Sequence, residues 1–306
     1  MSVYNGTDYL AQQLSSIYAQ QDVDVRLLVR DDGSGCTELH ELLDAEQAAG
    51  RLQWYEGQNL RPARSFMHLL QQAPEAEYYA FADQDDVWLP DKLAAAVAKL
   101  SRCDTAAHAT KCEKGDDGEE AALYFSQTQL VDADLQPLPN VVINPRLTFG
   151  EALVYQFVGG NTMVFNHALR QHLLRYEPTY LRMHDIWIYD VALALGGHVV
   201  FDPTPHILYR QHDSNAVGQA DSWLFRWRAR MERLQHERHI RSRIASELLA
   251  GYADAMPAAN RSLAETAAQA TTSWRARWRM LSDKAYDPAD AAIARSYKIA
   301  VMLGLF

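Results

Sequence analysis

Cysteine is scarce in this 306-residue chain: Cys36, Cys103 and Cys112 are the whole supply. A sparse, odd count argues against a disulfide scaffold and predicts a reducing compartment, the cytoplasm. Long apolar runs are missing too. No stretch reaches the roughly 18–20 residues that a membrane span needs, and no charged-then-apolar leader opens the sequence. The phosphate-cradling glycine signatures are also lacking. No G-x-G-x-x-G follows the first strand and no G-x-x-x-x-G-K-[ST] occurs, which disfavours a dinucleotide dehydrogenase or a P-loop NTPase. There is no G-x-S-x-G elbow either. Positive charge is in deficit: 29 Lys and Arg face 39 Asp and Glu, a net of −10. An acidic body repels nucleic acid, so none is expected as a partner.

What is present has an ordinary globular balance, with 48% hydrophobic and 22% charged residues. The charge is uneven. Residues 219–306 carry 14 Lys and Arg against 9 Asp and Glu, leaving 15 against 30 in the first 218. An acidic body suits a carboxylate-rich site, and a basic tail suits an anionic surface.

The first hundred or so residues alternate strand and helix patterns. Val25–Arg30, Leu52–Glu56 and Tyr78–Ala82 are predicted strands. Leu10, Leu14, Ile17 and Tyr18 share one helical face, as do Leu39, Leu42 and Leu43, then Phe66, Leu69 and Leu70. Leu93 and Val97 mark another helix, with Pro90 at its start. This alternation predicts an α/β domain with a mostly parallel sheet. The opening Met1-Ser2-Val3 reads as the tail of a strand, so either the first strand is short or the natural start lies upstream.

Residues 101–121 are polar and aperiodic, and predict a surface insertion. Cys103, His108 and Cys112 within it match no common zinc spacing. Beyond it, Leu123–Val131 and Asn161–Phe165 are predicted strands, His184–Leu195 a helix, and Val199–Phe201 and Ile207–Tyr209 short strands. After Gly218 the pattern is helical to the end, broken at Pro257 and Pro288.

Two acidic clusters carry the chemistry. Arg30-Asp31-Asp32-Gly33-Ser34 ends the Val25–Arg30 strand, and ligands of open α/β sheets bind at such carboxyl ends. Asp83-Gln84-Asp85-Asp86 ends the Tyr78–Ala82 strand. Three carboxylates in four residues exceed what a helix cap requires, and hard oxygen ligands suit Mg2+ or Mn2+. His184-Asp185 and Tyr209-Arg210-Gln211-His212 draw their weight from this company.

Taken together, Val3-Tyr4-Asn5-Gly6, Val29-Arg30-Asp31-Asp32-Gly33-Ser34, Phe81 to Trp88, Gly160 to Asn166, His184-Asp185-Ile186-Trp187 and Tyr209 to His212 with Asn215 and Gly218 resemble family 2 glycosyltransferases. The likeness is to their bacterial rhamnosyltransferase-like branch and covers residues 1–218. It implies a GT-A fold over 1–218 and leaves 219–306 as a helical extension. It implies that Tyr4, Asn5, Asp31 and Asp32 line a nucleoside pocket. It makes Asp83 and Asp85 the D-x-D pair at ribose and metal-bound diphosphate, with His212 near the metal, and Asp185 the catalytic base. The implied donor is a UDP- or dTDP-sugar, and the acceptor a glycan or lipid-linked saccharide of bacterial surface polysaccharide. Where relatives often carry Asn-x-Gly, this chain has Asn59-Leu60-Arg61, and Arg61 or Arg64 is placed to meet a phosphate.

Two further matters stay open on sequence alone. A non-catalytic nucleotide-sugar or glycan-binding module would share the fold with a decayed site. In the tail, Trp223, Phe225, Trp227, Trp274 and Trp278 interleave with arginines. That pattern fits ordinary packing with Trp buried, or peripheral contact with the anionic inner face of the cell membrane.

Overall fold

The computed structural model describes residues 1–101, 120–140, 142–211 and 239–306. The 101–121 insertion with Cys103, His108 and Cys112 lies almost wholly outside them. So do His212, Asn215, Gly218, the expected 218/219 boundary, and Trp223, Phe225 and Trp227.

The amino-terminal unit is built from β1 (Ser2–Val3), α1 (Leu10–Tyr18), β2 (Leu28–Asp31), α2 (Thr37–Ala48) and β3 (Gln53–Glu56). The strands form a parallel sheet ordered β1-β2-β3. The apolar faces expected of α1 and α2 are those that fold inward: Leu10, Leu14, Ile17, Leu39 and Leu43 are buried with Val3 and Val29. After α3 (Arg61–Gln72) come β4 (Tyr78–Ala80), β5 (Val87–Trp88) and α4 (Lys92–Ser101).

Two predicted strands are divided or shortened. Leu123–Val131 splits into β6 (Ala122–Ser126) and β7 (Gln129–Val131), which belong to different sheets. The break is pinned by Gln127 N–H to Asp202 O at 2.8 Å and by Asn140, whose Nδ2 donates to Thr128 O and whose Oδ1 accepts from Leu130 N. Asn161–Phe165 begins instead as a 3-10 turn (Gly160–Thr162) and only then becomes β8 (Val164–Asn166). Around these lie α5 (Phe149–Ala152), α6 (His167–Leu174), α7 (His184–Ala194), β9 (His198–Asp202) and β10 (Ile207–Arg210). The remaining sheets are ordered β4-β8-β6-β9 and β5-β10-β7.

The chain closes with α8 (Ile240–Tyr252), α9 (Ala258–Gln269), α10 (Trp274–Ser282) and α11 (Ala291–Met302). These helices share one core with the α/β body. Ile244, Leu248, Tyr252 and Met280 pack in the same cluster as Phe66, Phe165 and Trp187. Polar ties lock the junction. Tyr252 Oη donates to His172 O at 3.1 Å, and Asn260 Nδ2 donates to Leu193 O at 2.9 Å. Glu151 is fully buried and accepts from Arg146 N at 2.5 Å and Ala289 N at 2.7 Å. Where α5 meets the α10–α11 link, a Cβ on Gly150 would lie 2.1 Å from Ala285 O, so only glycine allows that approach.

The short β1 has a visible consequence. It pairs with β2 alone among the described strands. Val25, Arg26 and Leu27, expected in a strand, lie before β2 begins. They line a cavity of about 600 Å³ with Leu69, Leu70, Tyr78 and Trp88. The space lies between the residues that precede β2 and β4. Four or five β-branched residues fused before Met1 should run along Val25–Leu28 and fill it. Burying two or three such side chains is worth about 1.5–3 kcal/mol each, and each kcal/mol raises Tm by about 2 °C in a chain of this size. A Gly-Ser extension of equal length is the control. Equal melting temperatures for the two extensions would refute the strand-slot reading.

Candidate active site

Three turns converge at the carboxyl ends of β1, β2 and β4. The first is Tyr4-Asn5-Gly6. Asn5 adopts a left-handed φ of 49°, and its N–H donates to Ser34 Oγ at 2.9 Å. Tyr4 is half exposed, and its backbone pairs in both directions with the side-chain amide of Gln84, at 2.8 and 3.2 Å. A Cβ on Gly6 would sit 1.8 Å from that amide, so glycine is what lets Gln84 close over the turn.

The second turn is Asp31 to Ser34. Both carboxylates are buried and face inward. Asp32 ion-pairs with buried Arg30 and accepts from Leu60 N at 2.9 Å. Asp31 accepts from Ser34 N at 3.0 Å and pairs with His40 Nε2 at 2.8 Å. His40 is thereby more basic than an ordinary histidine, first through that hydrogen bond. In this arrangement the two aspartates fix the turn that lies beside Asn5, through Ser34 and Leu60. Among the described residues, the grouping of three potential metal ligands is here: one atom each from Asp31, His40 and Glu56 lies within 4.8 Å of the others. Asp31 is already satisfied there by Ser34 and His40.

The third turn is Asp83 to Asp86, pinned from four directions. Gln13 Nε2 donates to Asp83 O at 3.0 Å from α1. Gln84 holds Tyr4. Arg210, at the end of β10, donates through Nε to Asp85 O at 3.0 Å, and also to Ala133 O and Gln12 Oε1. Asn161 Nδ2 donates to the fully buried Asp86 at 2.6 Å. Asp86 has its carboxyl pushed well up, chiefly by burial and then by Asp83. It anchors the loop from below, while Asp83 and Asp85 stay half-buried at its rim.

Asp185 arrives from the opposite side, in the first turn of α7. Its Oδ2 accepts from Gly160 N at 3.1 Å and its Oδ1 from Ile186 N at 2.7 Å. The 3-10 turn Gly160–Thr162 therefore holds Asp185 through Gly160 and the D-x-D loop through Asn161. Gly160 is a close-approach glycine, since a Cβ would lie 2.5 Å from His184 Nε2. His184 is buried, stacked 4.2 Å from Phe66 and edge-on to Phe81, with both ring nitrogens lacking a hydrogen-bond partner. Burial lowers its pKa to about 4, so it packs as a neutral ring.

The carboxylates of the loop and of Asp185 act on one another. Burial first, then the charges of Asp85 and Asp185, push Asp83 up to about 7. Tyr209 on β10 is raised to about 12 by burial and by the same carboxylates. Mutually repelling oxygen ligands of this kind are the chemistry that a hard divalent cation takes.

Of the other predicted residues, Arg64 has different neighbours. It reaches Glu177 Oε1 at 3.5 Å and Thr179 O at 3.3 Å across a groove between α3 and residues 173–181. Arg61 opens α3 in a left-handed conformation, φ 64°. Nothing local marks Gln13, Gln84, Asn161 or Arg210 as loop anchors, because each acts on a partner 70 or more residues away.

Residues 1–125 match the family model of glycosyl transferase family 2. A curated relative, the dTDP-rhamnosyl transferase RfbG of Shigella flexneri, is 25% identical over 230 residues, 71% of this chain and 73% of that protein. Among solved structures, TarS of S. aureus in complex with UDP aligns with a TM-score of 0.57 at 16% identity, over 92% of this chain and 74% of its own. GalNAc-T7 with UDP, GalNAc and Mn2+ aligns at 0.55 and 12% identity, over 94% and 56%. The fold is GT-A, and the resemblance to rhamnosyltransferase-like family 2 glycosyltransferases holds.

Proposed function

We propose that this chain is an inverting, divalent-metal-dependent glycosyltransferase of bacterial surface polysaccharide assembly. It moves a sugar from a UDP- or dTDP-linked donor to a glycan or lipid-linked acceptor. The observation that carries this reading is the Gly160–Thr162 turn, which ties Asp185 through Gly160 N and the Asp83–Asp86 loop through Asn161 Nδ2, with Asp83 raised by burial and by the charges of Asp85 and Asp185. Three intact carboxylates in a pinned loop and a fixed helix start oppose a decayed binding module.

Each group has a distinct task. Tyr4, Asn5 and the turn held by Asp31 and Asp32 receive the nucleoside. Asp83 and Asp85 would hold the cation at the donor diphosphate; His212 is a further candidate ligand, outside the described residues. A bound Mn2+ or Mg2+ supplies Lewis-acid stabilisation of the negative charge on the departing diphosphate. Asp185 accepts the proton of the acceptor hydroxyl as that oxygen bonds to the anomeric carbon. The bond from that carbon to the phosphate oxygen breaks in the same displacement, which inverts the centre. Arg64 in the neighbouring groove is available to a donor or acceptor phosphate once its exposed pairing with Glu177 is exchanged.

The relative RfbG makes dTDP-rhamnose the first donor to try. The test is a panel of dTDP- and UDP-sugars with Mn2+, scored by acceptor-dependent release of nucleoside diphosphate and by the anomeric configuration of the product. Retention of configuration would defeat the single-displacement mechanism. Binding of nucleotide sugar with no turnover on any saccharide or lipid-linked acceptor would favour the binding module.

A further inference from the structure

The two tryptophans of α10 face outward. Trp274 is 71% exposed and Trp278 is 70% exposed, so of the two readings left open by the sequence, burial by packing does not apply to them. Their helix is nevertheless fixed. Ala276 and Met280 bury its other side, and Ser273 caps its start by accepting from Ala276 N. Arg277 closes the end of α9, donating to Ala270 O and Thr271 O at 2.8 Å each. The exposed face is thus Trp274, Arg275, Trp278 and Arg279, positions i, i+1, i+4 and i+5 of one helix. No acidic residue occurs in Trp274–Ser282.

The end of α11 extends this face. Gly304 lies against the Arg277 guanidinium, where a Cβ would come within 2.9 Å, so the chain leaving α11 passes beside α10. Just before it, Met302 is 59% and Leu303 64% exposed. Large exposed apolar side chains on a soluble surface are usually scattered. Here Trp274 and Trp278 interleave with Arg275 and Arg279, and exposed Met302 and Leu303 lead into the chain that passes Arg277.

We infer that this face of α10 and the end of α11 is a docking surface for an anionic phospholipid bilayer. The chemistry selects that partner. Indole rings settle at the headgroup level, where an apolar body and a polar N–H both find partners. Arg275 and Arg279 match lipid phosphates, and the face carries no carboxylate to repel them. A second copy of the chain would set arginine against arginine across a two-fold contact. The inference goes beyond the transferase reading and stands without it.

The test is co-sedimentation of the full chain with vesicles of phosphatidylcholine, with and without 30% phosphatidylglycerol. Each basic residue near an anionic leaflet multiplies binding about fivefold, so two contribute about 25-fold. Wild type should prefer the anionic vesicles by at least that order and lose the preference in 0.5 M NaCl. Arg275→Gln with Arg279→Gln should remove most of it, and Trp274→Ala with Trp278→Ala should weaken binding on both vesicle types. Unchanged melting temperature and nucleotide affinity verify that both pairs fold. Binding that both double variants leave within twofold of wild type would overturn the inference. So would a concentration-dependent dimer, lost in the Trp pair, without vesicle binding. Sugar transfer to a soluble acceptor is assayed separately, so failure here leaves the proposed reaction standing.

Discussion

Asp185→Asn is expected to cut turnover about 10²–10⁴-fold while donor affinity and melting temperature stay near wild type. An amide has the volume of a carboxylate but cannot take the proton of an attacking hydroxyl. The local structure makes the substitution clean. Asp185 accepts from Gly160 N and Ile186 N, and an amide oxygen can keep one of these bonds. The helix boundary residue is Met183, so Asp185 is not the cap whose loss would unravel α7. The expected loss corresponds to roughly 3–5 kcal/mol of barrier with little change in stability. Turnover within a few-fold of wild type would leave Asp185 a structural acceptor and move the base elsewhere.

The α/β plan was legible because its signals are local. One-face apolar residues, at i, i+4 and i+7 in α1 and at i, i+3 and i+4 in α2, mark these helices whatever lies around them, and Leu10, Leu14, Leu39 and Leu43 do end up buried. The acidic clusters were legible because carboxylates that dense demand a partner. Tertiary choices were not. The run from Leu123 to Val131 reads as one strand despite the polar Ser126-Gln127-Thr128-Gln129 at its middle, and only the fold shows that it changes sheets at Gln127, where Asp202 and Asn140 capture the backbone. Arg64 was assigned to a phosphate by its place in the chain, yet its reach is set by Glu177 and Thr179 on a distant segment. Arg210 looked like one member of a motif. Only the fold shows it buried, its guanidinium 4.1 Å above Tyr9, holding the backbone of Asp85. For the tryptophans of α10 the interleaved pattern allowed either face to be buried, and Met280 and Ala276 took the inner positions.

The metal site yields a prediction in which stability and function move in opposite directions. Asp85→Asn should abolish the gain in nucleoside-diphosphate affinity that Mn2+ gives wild type, at least tenfold by calorimetry. The loop itself should persist, because Arg210 also donates to the Asp85 carbonyl oxygen, which the substitution keeps. Asp83→Asn should lose the same Mn2+ response yet make the metal-free protein more stable at pH 8. The sign follows from linkage. Burial, Asp85 and Asp185 raise the folded pKa of Asp83 to about 7, above the 3.8 of an unperturbed aspartate. Between those values the folded state binds the extra proton, so the group costs stability progressively as pH rises from about 4 to 7. An asparagine carries no such charge. The variant should therefore exceed wild type by about 2–4 kcal/mol at pH 8, with the difference vanishing near pH 4. Saturating Mn2+ should close the gap from the other side, by stabilising wild type alone. A metal-free Asp83→Asn protein less stable than wild type at pH 8 would show that the carboxylate is structurally paired, and Asp83 would drop out of the cation site.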